Sequence, residues 1–184
     1  MVRPAIIATL ICLIVTVTID VRTQDIDKCR RGACNTRAGL RLSIELDKDS
    51  YHVKETAQLK VTLENVGQEP LVLLQKIGWG SSSSLSLAIL DRKNRLLAPT
   101  FIDDASRLRS FSREDFVSIP PGESLQRERG VDLRAYGIRT PGDYTLIVWY
   151  RSPASRAKAP SGLHVWSSEN GVLISKPVNF KVIE

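Results

Sequence analysis

Thr140–Tyr150 reads TPGDYTLIVWY. Pro141 and Gly142 mark a tight turn, since proline presets one backbone angle and glycine adopts conformations that other residues avoid. The run that follows is rich in β-branched and aromatic side chains, which fit a pleated, half-buried surface. Alternation puts Leu146, Val148 and Tyr150 on one face and Thr145, Ile147 and Trp149 on the other. Both faces carry apolar bulk, so the run is expected to be a central strand. Trp149 is expected on a covered sheet face.

Outward from this stretch the same period of two recurs. Leu40, Leu42, Ile44 and Leu46 alternate with Arg41, Ser43 and Glu45, until DKDS at 47–50 breaks the pattern. Ala57, Leu59, Val61 and Leu63 repeat it, Asn65-Val66-Gly67 turns, and Leu71–Leu74 begins a third strand. A fourth runs through Leu85, Leu87 and Ile89, and DRKNR at 91–95 turns into Leu96-Leu97-Ala98. Residues 99–115 follow neither helical nor strand period. A strand at 116–119 ends at Pro120-Pro121-Gly122, with Ser124–Val131 expected as its antiparallel partner. Asp132–Tyr136 reads as one helical turn, and closing strands are expected at 172–175 and 178–183, separated by Pro177.

Short strands at this spacing, with turn signals between them and no alternation with helices, predict an all-β fold. The expectation is a single immunoglobulin-like antiparallel β-sandwich over 39–184. In such sandwiches a tyrosine at the start of one strand bonds back to the chain just upstream, two residues before a disulfide cysteine. Tyr144 stands in that place, and Leu146 stands where the cysteine would be. Apolar packing is therefore expected to replace the bridge between the sheets.

Ahead of the sandwich, Arg3 precedes fifteen uncharged residues, Ala5–Ile19, and Asp20 and Arg22 close the run. That length suits a secretory segment better than a membrane span of about 20 apolar residues. Residues 1–23 are read as a signal peptide or membrane anchor, and the chain as exported, or membrane-anchored where that segment is not cleaved. Residues 24–38 form a linker holding Cys29 and Cys34, which an oxidising compartment would favour joining. A redox-active pair normally has two residues between its cysteines, not four, and a zinc site would need two further ligands.

Chemistry-bearing motifs are sparse. The two histidines, His52 and His164, form no HExxH, and no G-x-S-x-G marks a nucleophile. Asp103-Asp104 and Glu114-Asp115 are neighbours along the chain, which does not make them face each other across a cleft. They are read as solvated charges, and neither a metal nor another cofactor is expected. A net charge of +6 is spread among acidic residues without a basic run, so no nucleic-acid partner is expected. Trp79 and Trp166, in Gly/Ser-containing connections, are candidate contacts for a protein or carbohydrate partner. Against that stands a plainer reading, in which each covers an open end of the core.

TLENVGQEPLVLL, FVSIPPGES, the Leu133/Tyr136 segment and TPGDYTLIVWY together resemble the non-catalytic N-terminal β-sandwich of secreted deuterolysin-type and peptidyl-lysine metallopeptidases. The same order of motifs resembles small exported bacterial proteins of unknown role. The resemblance spans 62–150 and implies a fold; the peptidases' zinc-binding helix has no counterpart here, so no catalytic residue is carried over. The leading expectation is a non-enzymatic exported binding or interaction module. A proteinase inhibitor acting through 99–115 or 152–171 is the alternative, and a hydrolase with an unrecognised site the third.

Overall fold

The computed structural model describes residues 34–75, 77–79, 84–97 and 111–184. The expected signal or anchor, Cys29 and Asp103-Asp104 lie outside the described residues. In chain order the strands are β1 (Thr36–Arg37), β2 (Leu40–Leu46), β3 (Ser50–His52), β4 (Thr56–Asn65), β5 (Leu71–Leu74) and β6 (Leu85–Asp91). They continue as β7 (Leu96–Leu97), β8 (Phe116–Ile119), β9 (Ser124–Asp132), β10 (Gly142–Tyr150), β11 (Leu173–Ile174) and β12 (Val178–Ile183).

Period-two alternation decides the first sheet, ordered β1-β2-β4-β9 and antiparallel throughout. On β2 and β4 the residues Leu40, Leu42, Leu59, Val61 and Leu63 turn inward and are buried. Their neighbours form a polar outer face, where Arg41 bonds the Glu64 carboxylate across the strand pair. The second sheet runs β3-β12-β10-β6-β7, with β11 also on β10. From it Leu85, Ile89, Leu146, Val148, Tyr150, Phe180 and Val182 complete one core shared with the first sheet. The fold is an all-β sandwich. β2, β4 and β9 stand in the places of immunoglobulin strands A, B and E, and β6, β10 and β12 in those of C, F and G.

The corner is formed as expected: Tyr144 Oη donates to the Thr140 carbonyl at 2.9 Å. Leu146, in the cysteine's place, is fully buried. Just upstream, the turn after Asp132 closes with Gly137 N–H on Arg134 O and Ile138 N–H on Leu133 O, at 2.9 and 3.1 Å. That pair of bonds ends a helical turn through a left-handed residue, and Gly137 holds φ +79°.

Three expectations need correction. β8 does not pair with β9; it pairs with β5 in a separate two-stranded sheet, while β9 runs along β4. Asn65 accounts for this. Its buried side chain donates to the carbonyls of Glu69 and Ile119, both at 2.8 Å, and accepts from Gly67 N–H at 2.9 Å. Its backbone receives Gly122 N–H at 2.8 Å and donates to Glu123 O at 2.9 Å. The Pro120-Pro121-Gly122 turn is thereby pinned to the end of β4, and the chain leaves it along β4 instead of folding back on β8. Second, the sandwich is not wholly antiparallel, because β3 joins β12 in parallel, with Tyr51 beside Val182. Third, the linker's end is itself a strand, since β1 precedes residue 39.

Candidate functional site

The outer face of the second sheet is divided. Toward one end Leu90, Ile147 and Ile174 form a small buried cluster, against which Trp149 and Cys34 pack. Trp149 thus lies on a covered face, as its strand position implied. Ile174 N–H donates to the Cys34 carbonyl at 3.0 Å, which holds the incoming chain on this cluster.

The other end is polar. Register sets Asp143 beside Lys181 and Thr145 beside Asn179, and Thr145 Oγ1 donates to Asn179 Oδ1 at 2.8 Å. These residues line an open depression of about 500 Å³, closed on its sides by Asp49 and by the β6–β7 turn carrying Asp91 and Asn94. Asp91 is already committed to that turn. Its carboxylate accepts from the N–H groups of Lys93 and Arg95 and from Arg95 Nε, at 2.8, 2.9 and 2.7 Å. The Arg95 backbone bond is the main reason its carboxyl sits below the usual range. What remains is an open, mixed-charge, hydrogen-bonding surface carried on paired strands.

The residues singled out from sequence do not converge on this depression. Trp166 is a correction to its reading as an exposed contact. It is 2% exposed, its ring lies 5.4 Å from that of Tyr150, and Nε1 donates to Arg37 O at 3.3 Å. Trp79 is half-buried against the core, bridges to Leu85, and lies under the Arg129 guanidinium at 5.3 Å. Both tryptophans close the end of the sandwich remote from the depression, as large aromatics at a core boundary do. His52, on β3, has Nδ1 against the Glu184 carbonyl, and His164 is exposed in the connection after β10. The two histidines stand at opposite ends of the sandwich. Asp115 caps the short turn 113–115, accepting from Ser112 N–H at 2.8 Å. Among the described residues no group of three or more His, Cys, Asp or Glu is placed to hold a metal ion, and no helix is long and apolar enough to cross a membrane.

Segment 152–171 is fastened at several points. Ser168 N–H reaches Ala154 O at 2.8 Å and Trp166 N–H reaches Val72 O at 2.9 Å. The Glu169 carboxylate receives Arg156 N–H at 3.2 Å. Exposure concentrates between Arg156 and His164. The residues that line the depression carry no mark in the sequence, although Asp143/Thr145 and Asn179/Lys181 do alternate with apolar neighbours. Their convergence depends on the β10–β12 register, which no local pattern encodes.

No family model matches the chain, and no curated protein matches it. Matches among solved structures are of low identity and low structural similarity. A protein solved as Northeast Structural Genomics Consortium target SoR45 is 12% identical with a TM-score of 0.40, the match covering 80% of this chain and 89% of that one. The CARDB domain of the PF1109 protein from Pyrococcus furiosus is 12% identical with a TM-score of 0.36, covering 78% and 91%. A β-glucosidase from Erythrobacter marinus is 15% identical with a TM-score of 0.35, covering 78% of this chain but 15% of the enzyme. Likenesses of this size carry no functional argument.

Proposed function

We propose that the chain is a non-enzymatic binding module working outside the cytoplasm, with the depression on β10 and β12 as its contact surface. The observation that carries this reading is the row Asp143, Thr145, Asn179 and Lys181, fixed on rigid strands in an open depression of about 500 Å³. Sites built on strands hold their geometry better than sites on loops, and a shallow polar surface suits a protein or saccharide chain better than a small apolar ligand. Export is supported by the uncharged run Ala5–Ile19.

The test is affinity capture by the full chain from the cell envelope of its own organism, alongside two double variants. T145R/N179R fills the depression, while S43R/T62R places the same side chains on the outer face of the other sheet. A partner enriched by the native chain and by S43R/T62R but lost with T145R/N179R is the expected result. Enrichment of nothing, or equal capture by all three, overturns the reading.

A further inference from the structure

The first sheet ends in β9, which is bonded to β4 over nine register pairs and has no strand on its other side among the described residues. An edge of that length is a template for another extended chain. The preceding strand does not shield it, because β8 leaves for β5. Two of its core-side positions carry arginine: Arg127 sits in register with Val61 and Arg129 with Leu59, and both partners are buried. The guanidiniums do not enter the core. Arg127 Nη2 donates to the Gln75 carbonyl at 2.6 Å, and Arg129 lies over the Trp79 ring.

We propose that Arg127 and Arg129 are a guard that keeps β9 from pairing with β9 of a second copy. Joining two sheets edge to edge about a two-fold axis keeps core-side residues core-side, which limits the registers. Full overlap of Ser124–Asp132 with its copy faces Arg127 with Arg129, twice, and Glu128 with Glu128. A slip of one pairing step either way sets Arg127 or Arg129 opposite itself. Like charges directly opposed across a strand pair are destabilising, and inward-pointing charge is one of the ways that sheet edges are blunted.

The experiment compares the full chain with R127Q/R129Q and with R127K/R129K in the same detergent, using light scattering across a concentration series. Each is also made with Glu128→Cys, to trap a pair at its centre. The native and lysine forms are expected to stay monomeric and uncrosslinked. The glutamine form is expected to rise toward double the monomer mass and to crosslink. A glutamine form that stays monomeric with native circular dichroism overturns the proposal, as does a lysine form that associates equally, or a native chain that already crosslinks. If the glutamine form does not fold, R127T/R129T, whose β-branched side chains suit a strand, is read against the same two outcomes.

Discussion

Tyr144 and Tyr150 lie on the same strand and both are buried, yet their hydroxyls differ in kind. The first has a partner in Thr140 O; the second has none among the described residues. Burial also pushes the Tyr150 hydroxyl's pKa well above its ordinary value, and the nearby Ser152 side chain, which makes no well-formed hydrogen bond with it, offsets this only in part. Tyr144→Phe should lower stability by about 1 kcal/mol, the net worth of one hydrogen bond, because Thr140 is exposed and its carbonyl can turn to water. Tyr150→Phe should be neutral or stabilising by up to about 1 kcal/mol, since it removes a buried polar group that lacks a well-formed hydrogen bond. Urea unfolding of the two variants checks the contrast; equal losses would refute it. Asn65→Ala is a harsher change. It strips the buried Ile119 carbonyl, the partly buried Glu69 carbonyl and the Gly67 N–H of their partner, so a loss of about 3 kcal/mol is expected on the same measurement.

Asp47 supplies the pH dependence at this scale. Burial alone would raise its carboxyl, but hydrogen bonds from the Tyr51 hydroxyl and Gln58 N–H outweigh that and hold it below the usual range. Its folded pKa lies below its unfolded one, so its contribution is complete above the ordinary carboxylate value, about 4. The contribution is then lost as pH falls through the folded value. Asp47→Asn keeps an acceptor without the titration. Its urea midpoint should therefore fall less steeply than the native one between about pH 4 and about pH 2. Parallel acid limbs would count against the assignment.

Strands, as elements, were the most legible part of the chain. Alternation in LRLSIEL and in TAQLKVTLEN located β2 and β4 because each has one face in the core and one in water. The pairing of β8 was not legible. Two strands flanking a Pro-Pro-Gly turn look like a hairpin locally, and the Asn65 network that separates them joins residues distant in sequence. The turn before β10 reads as helical in the sequence, and the structure adds the glycine that ends it. A methyl group at Gly137 would have no atom within 4 Å to collide with, so Gly137→Ala meets only the backbone penalty of φ +79°. A loss of about 1 kcal/mol is expected by thermal or urea unfolding; Gly137→Asn should lose less.

At the scale of the whole molecule, the sandwich was legible and the site was not. The number and spacing of strands imply two packed sheets, and Tyr144 fixes which strand lies at the corner. Trp79 and Trp166 stand out in the sequence as aromatic residues in polar connections, but whether such a ring meets solvent depends on which end of the core it closes. The depression is instead lined by short polar side chains of ordinary type, brought together by register.

β12 lies between β3 and β10, so the strand nearest the C-terminus is inserted within its sheet and not added at its margin. Its parallel ladder joins residues 50–52 to residues 181–183. The consequence is temporal. During synthesis the early strand β3 cannot pair with β12 until residues 181–183 have emerged, and closing so long a loop slows folding. A nascent chain would hold the second sheet unfinished throughout the making of residues 53–177, and β12 would then join β3 to β10 in one step.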